Sequence, residues 1–587
     1  SHGRQEQKQT DNQSRSNNKS GPARAPYNFI PLNTEIVSAE TPPSQDRFHE
    51  NMLSGQIDLT ITNKTPFFIR GRKWDKEKKE WVESENFFEW KKNKPAIPGS
   101  SLRGMVRSLV EISTFSELDM FDDKQLYRRF NMITDKNDQI NYGFLRKVGQ
   151  EYILKEVATK PKQVQKSEDL LSKNPYHYKY NGNDCFYSVG EFQYSSRVWK
   201  FIWNNTGNKD VVDEKVLDGY RYDKNRAEEA IDILESLSRG YIVNGVKEGE
   251  QIGSTRVKVP SEKGIPIFFR RKNGKIISFG NAKYHRIPYN YTISDFIRQT
   301  KPVNFQNDFA KTIFGTTENT SRIAFEDCVI NIGQKNFHEF ENSVTPKILS
   351  SPKPTTYQHY LKQDSVNVSE LNLKTWNSKN SLISGYKGYW HRETPSNKTY
   401  EQSWVENGEV KKSHAQPIKP LTSGTIFSGR IRFENLSQVE LGCLLFVLHL
   451  PEGCYHKMGF GKPLGLGSVE IKPTLTLIDR KQRYVNLFNI DKNGWNNGLK
   501  DKHLGDNLNK YKNAFAEFMN GKADIECDDW EALWKNKRLE QLKIMLTSDH
   551  SKVDDWLDKT RYQELSEFKK RPVLPSADEV IKNNTYN

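Results

Sequence analysis

The chain has 587 residues, 35% of them hydrophobic, 28% charged and 12% aromatic, and carries a formal charge of +15 from 89 basic and 74 acidic side chains. This length accommodates several units of ordinary domain size, and the positive surplus favours a polyanionic partner through counterion release. The longest apolar run, LGCLLFVLHL, is too short for a bilayer span, and the five cysteines (Cys185, Cys328, Cys443, Cys454 and Cys527) form no C-x-x-C pair, so neither a membrane partner nor a structural zinc is expected.

Residues 1–25 show no hydrophobic pattern and read as a disordered tail. With few cysteines and no apolar leader at the N-terminus, a soluble cytoplasmic protein is the expectation. Residues 26–114 open the folded part. In GQIDLTIT, Ile57, Leu59 and Ile61 alternate with polar residues, the pattern of a half-buried strand. A charged, tryptophan-bearing loop follows. Pro98, Gly99 and Ser100 then mark a helix start, with Ser100 or Ser101 a suitable N-cap. Leu102, Met105, Val106, Leu109 and Val110 fall at helical spacing, and Arg103 and Arg107 share another face.

Residues 115–305 read as an insertion or second lobe. They hold a helical segment, RAEEAIDILESLSRG, and a hairpin, PIFFRRKNGKIISFG, whose Asn273-Gly274 suits a left-handed turn. Residues 306–333 contain the strand RIAFEDCVINI, with Ile323 and Phe325 on one side. A second insertion spans 334–422. Residues 423–480 give a strand (GTIFSGRIRFENL), an apolar helix (QVELGCLLFVLHL), a glycine-rich loop and the strand SVEIKPTLTLI. Residues 481–587 read as a helical tail containing EALWKNKRLEQLKIML. Without the insertions the order is β-α-β-β-α-β, which predicts an α+β chain with a ferredoxin-like (RRM-like) core, whose four-stranded sheet is a common RNA platform.

Four segments carry candidate chemistry. In PGSSLRGMVRSL, small residues at a helix start leave N–H groups open to phosphate, with Ser100, Ser101, Arg103 and Arg107 close by; an ordinary capped helix with solvated arginines fits the same residues. In HKMGFGKPLGLG, Gly459, Gly461, Gly465 and Gly467 allow close backbone approach, and His456, Lys457 and Lys462 add charge. This is no Walker A loop, since Pro463 follows Lys462, and a plain helix-to-strand turn is the competing reading. In SGRIRF, Arg430 and Arg432 share one strand face, suited to phosphate or to a plain polar surface. Asp75 stands alone among aspartates between Asp58 and Gly99, where it could assist a ribose hydroxyl or be a solvated acid. His285, His391 and His414 show no metal-ligand spacing.

Three segments together, IPGSSLRGMVRSLVE, TIFGTTENTSRIAFEDCVI and HKMGFGKPLGLGSVEI, resemble signatures of the RAMP superfamily, the Cas-seven-type proteins of CRISPR complexes. APYNFIPL, GIPIFFRRKNGK, PKPTTYQHYL, GYKGYWHR and SGRIRFENLSQVELGCLL resemble a large single-core subfamily linked to type III-D systems. The resemblance implies a subunit that stacks along a CRISPR guide RNA, holds its backbone, and meets the complementary target RNA and other type III effector subunits. It adds Arg322, in the Ser-Arg pair, to the expected RNA contacts. Some such proteins cut target RNA with an aspartate after the first strand, which by position is Asp75 and would require Mg2+ or Mn2+, although the usual motif around it is missing. The alternative is a stand-alone endoribonuclease for repeat transcripts, relying on His285, His391, His414 or His456.

Overall fold

The computed structural model describes residues 21–582 apart from 78, 92–93, 131–139, 166–176, 181–182, 188–196, 204–207, 228–232, 240, 244–255, 259–262, 331–342, 347–348, 350–352, 393–416, 490–493, 551 and 564. Of the tail expected at 1–25, residues 1–20 lie outside the described residues, as does His414, whereas Ala23 and Ala25 are buried and the Ala23 N–H donates to Val573 O at 2.8 Å.

The chain begins with β1 (Tyr27–Ile30) and the long β2 (Leu53–Asn63). A hairpin of β3 (Arg70–Asp75) and β4 (Glu80–Phe87) follows, then β5 (Glu89–Lys91) and β6 (Lys94–Ile97). Helix α1 (Gly99–Ser113) comes next. A lobe then builds a five-stranded antiparallel sheet from β7 (Ile140–Val148), β8 (Glu151–Glu156), β9 (Lys209–Val211), β10 (Ile265–Lys272) and β11 (Lys275–Gly280), in the order β9-β8-β7-β10-β11. Asn273 and Gly274 take positive φ in its β10–β11 turn, as expected of an Asn-Gly hairpin. The lobe has its own core, including Leu145, Leu154, Ile267 and Phe269.

The chain returns through α2 (Phe309–Phe314), β12 (Ile323–Phe325), β13 (Cys328–Ile330) and β14 (Tyr386–Tyr389). It continues with β15 (Ile426–Leu436), α3 (Gln438–Leu448), β16 (His456–Lys457), β17 (Ser468–Ile478), β18 (Leu499–His503), α4 (Asn509–Met519) and α5 (Lys537–Leu546), with short helices at Trp556–Lys559, Leu565–Lys569 and Ala577–Val580 beyond.

The main sheet runs β16-β17-β2-β15-β13-β6-β5, with β12 also on β15 and β18 on β17. Its ladders are antiparallel. At its centre the order is last strand, first, third, second, with α1 and α3 supplying the two helices. Ile57, Leu59 and Ile61 of β2 and Phe427, Ile431 and Phe433 of β15 turn into one core with Leu102, Val106 and Val110 of α1 and Leu444 and Leu445 of α3. Each such side chain contributes roughly 1.5–3 kcal/mol through burial. Helix α3 starts with a Ser437–Glu440 capping box and is buried almost throughout, because α4 covers its outer side. A Cβ on Gly442 would meet the Tyr511 carbonyl oxygen at 2.0 Å, so glycine permits that close crossing.

Other sequence expectations change as well. The charged, tryptophan-bearing loop after the first long strand is largely strand, the β3–β4 hairpin followed by β5 and β6. The strand RIAFEDCVINI is split at Glu326 and Asp327. The serine N-cap of α1 is not used: Pro98 occupies the cap position, and the Asp327 carboxylate accepts the Gly99 N–H at 2.7 Å. EALWKNKRLEQLKIML is two helices, interrupted at Trp534 to Asn536, where the Asn536 side chain caps α5 by accepting the Arg538 N–H. Among the described residues no helix is long and apolar enough to cross a membrane.

Candidate nucleic-acid interface

On α1, Ser100, Ser101, Gly104 and Ser108 recur at helical spacing and form a face of small residues. Opposite lies the glycine-rich loop between β16 and β17. Two of its glycines are demanded by their surroundings. Gly459 has φ 83° with the Phe68 carbonyl 2.5 Å from where a Cβ would stand, and Gly467 has φ 76° with the Met458 carbonyl at 1.8 Å. The loop is pinned by bonds from Phe460 N to Phe68 O and from Gly467 N to Pro66 O.

The serine face and the loop are two walls of one cleft of about 600 Å³. Ile30, Lys387 and Tyr389 form a third wall, because β1 and β14 pair antiparallel with Phe29 opposite Lys387. Arg70, Lys387, Lys457 and Lys462 line the cleft, and among the described residues no carboxylate does. Arg70 reaches the exposed Glu83 outside the cleft at 3.5 Å. Lys387 is held by rings rather than by acids: its Nζ lies 3.8 Å from the Tyr27 ring centroid and 5.4 Å from that of Tyr389. Burial pushes its pKa down to about 8. Lys462 is also lowered by burial and sits 5.6 Å from the Tyr389 centroid. Lys457 donates to Gly465 O and Ser468 Oγ at 3.1 and 3.0 Å, and is driven well down by burial, then by Arg392 and Lys462. Burial takes Arg392, behind the loop, down to about 10. Crowding partly desolvated lysines together is costly, and an anion in the cleft relieves that cost.

Of the residues proposed from sequence, Ser100, Ser101, Lys457, Gly459 and Lys462 meet in this cleft, while Gly461, Gly465 and Gly467 shape the loop behind it. The arginines do not join them. Arg103 donates to Phe314 O at 2.7 Å and Ser321 Oγ at 3.1 Å, and Arg107 pairs with Glu111 at 2.8 Å. Arg322 is corrected outright: its side chain is 2% exposed and ion-paired with Glu440, so it is a strut of the core. Arg430 and Arg432 do share a strand face, but they pair with Asp58 and Glu326, each at 2.7 Å. On β2, β15 and β17 that open face shows Gln56, Asp58, Thr60, Ser428, Arg430, Arg432, Glu470, Lys472 and Thr474, with no aromatic ring among these residues for a base to stack on.

A model of the RAMP superfamily matches residues 60–470, well over half of the chain. The chain belongs to the RAMP superfamily. No curated protein matches it. The family signatures fall on both long walls of this RAMP protein's cleft, whereas Arg70, Lys387 and Tyr389, which also line it, and Arg392 behind the loop were not among the candidate site residues. Lys387 and Arg392 were within reach, since both lie in the GYKGYWHR segment.

Asp75 ends β3 opposite Glu80, roughly 16 Å along the strand from Arg70. Its Oδ1 accepts the Glu77 N–H at 2.9 Å, closing the hairpin turn. Among the described residues no group of three or more His, Cys, Asp or Glu side chains is placed to hold a metal. The bond that the Asp75 carboxylate accepts from Glu77 shapes the turn.

Proposed function

We propose that this RAMP protein is a guide-RNA-binding backbone subunit of a type III CRISPR effector complex, built on a ferredoxin-like core, with the cleft between α1 and the glycine-rich loop as its grip on ribose phosphate. One observation carries the reading: segments some 350 residues apart in sequence form a single cleft with four basic side chains and, among the described residues, no carboxylate. Such contacts fix a strand's position without reading its bases, as a scaffold for variable guides requires. The lobe of β7–β11, inserted between α1 and α2, is the segment we assign to the thumb.

The repeat-processing alternative needs an accessible histidine. His285, His391 and His456 are all buried. Burial drives His285 down to about 3, His456 to about 4 and His391 well below the ordinary value. His456 Nε2 is bonded to Val447 O at 2.7 Å, and His391 lies between Ser468 Oγ and Tyr455 O. These histidines suit packing rather than proton transfer.

The test is to express the full chain with a CRISPR array and sequence the RNA that co-purifies. The expected result is a discrete RNA carrying a repeat-derived end, lost when Lys387 and Lys462 are both replaced by Glu. RNA of random sequence, or equal loading of the variant, overturns the proposal. In the same material Asp75→Ala is expected to leave RNA loading unchanged; loss of Mg2+-dependent target cutting in that variant would make Asp75 catalytic.

A further inference from the structure

Strand β14 connects the cleft to a second cavity. Gly385, just before the strand, lines an apolar pocket of about 220 Å³ with Phe29, Leu126, Tyr360, Trp376 and Ile383. Lys387, two residues on and about 7 Å along the extended chain, lines the cleft. Two further residues join the sites. Phe29, a pocket wall, stands opposite Lys387 in the β1–β14 ladder. Tyr360, another wall, has its ring centroid 5.7 Å from Lys387 Nζ. Lys353 and Pro354 complete the pocket, and again no carboxylate lines it among the described residues.

Resting on the RNA-binding reading above, we propose that this pocket receives one unstacked nucleobase of the strand whose phosphates lie in the cleft. Aromatic walls beside a phosphate-gripping lysine are the combination that single-stranded nucleic acid exploits, the rings taking the base and the cation the backbone. The volume suits one heterocyclic base. The walls stack without selecting: Trp376 Nε1 is already committed to Pro354 O at 2.8 Å, leaving that indole N–H no role at a base edge. The pocket thus takes any base, consistent with guides of variable sequence. A partner's apolar side chain could fill the same volume, but the lysines at both ends and the continuity with a cationic cleft favour a nucleotide.

The experiment uses the full chain with a short oligouridylate and an abasic oligomer carrying the same number of phosphates. Intact RNA is expected to bind roughly five-fold or more tightly than the abasic strand. In Ile383→Phe, which fills the pocket without removing a wall, the two affinities should converge. Photo-cross-linking of 4-thiouridine RNA to the unaltered protein, which needs no variant, should map to Phe29, Tyr360 or Trp376. Equal binding of both strands by the unaltered protein, cross-links only outside the pocket, or an Ile383→Phe variant that keeps the difference overturns the inference. So does a variant that binds RNA normally but releases a protein subunit, which would make the occupant a partner. Lys387→Ala separates the two readings: it lowers affinity for both strands when the cleft grips phosphate, and an unchanged affinity for both fails the cleft itself.

Discussion

Arg322 and Glu440 form a buried ion pair that joins the start of β12 to the first turn of α3. Arg322 Nη1 donates to Glu440 Oε2 at 2.9 Å and to Asn435 O at 2.7 Å, and Nε donates to Thr312 O at 3.0 Å. Glu440 also closes the α3 capping box by accepting the Ser437 N–H at 2.9 Å. Removing the arginine leaves a carboxylate uncompensated in the core. Arg322→Ala is expected to cost about 3–5 kcal/mol, read from the urea midpoint of the full chain. RNA affinity of the fraction that remains folded should be unchanged; a normal midpoint with weakened RNA binding would return Arg322 to the interface.

The salt dependence of binding separates the cleft from the arginines beside it. Each phosphate contact to a single strand contributes a slope of about 0.7 in log K against log salt. Lys387→Ala with Lys462→Ala should lower the slope by on the order of 1.5 and weaken binding at low salt by about ten-fold or more. Arg103→Ala with Arg107→Ala should leave the slope unchanged, because those guanidiniums bond Phe314 O, Ser321 and Glu111. The reverse pattern in filter binding would move the interface to the other face of α1.

These two outcomes mark what the sequence could reveal. Period-two alternation disclosed the inward set of β2, and helical spacing that of α1, because both are local. Alternation also put Arg430 and Arg432 on one face, yet it could not reveal that Asp58 and Glu326 neutralise them, since those partners come from distant parts of the chain. The cap of α1 escaped for the same reason: its carboxylate, Asp327, is 228 residues away in sequence. Lys387 becomes a cleft residue only through the β1–β14 pairing, which brings together segments at opposite ends of the folded chain's first 390 residues.

Acid should destabilise this protein before its carboxylates are neutralised. Burial depresses His456, His359 and His550 from 6.5 to about 4, and His285 to about 3. Between those values and 6.5 the unfolded chain binds protons that the folded chain refuses, so stability falls as pH drops through that window. Across the whole window each histidine contributes on the order of 3–5 kcal/mol to that loss. His456→Asn should remove part of it in urea titrations at pH of about 7 and 5. A flat profile would mean that the imidazoles are solvated and that a histidine-based processing reaction regains its footing.

RNA affinity should weaken in mild alkali, and Lys387 is the reason. Its folded pKa is about 8 against an ordinary 10.5, lowered by burial among tyrosine rings. Between these values the unfolded chain holds the proton more often than the folded chain, so this residue makes the free protein more stable as pH rises from about 8 toward 10.5. Binding has the opposite sign. A phosphate in the cleft favours the ammonium, so affinity declines as pH rises through about 8, by up to about ten-fold if one ionic contact is lost. Lys457 and Lys462 are lowered too, each chiefly by burial. Lys387→Arg keeps a cation at that position through this range. Affinities measured at constant ionic strength from about pH 7 to 9.5 should fall steeply for the unaltered chain and less steeply for the variant; parallel curves would show that Lys387 stays protonated or never touches the strand.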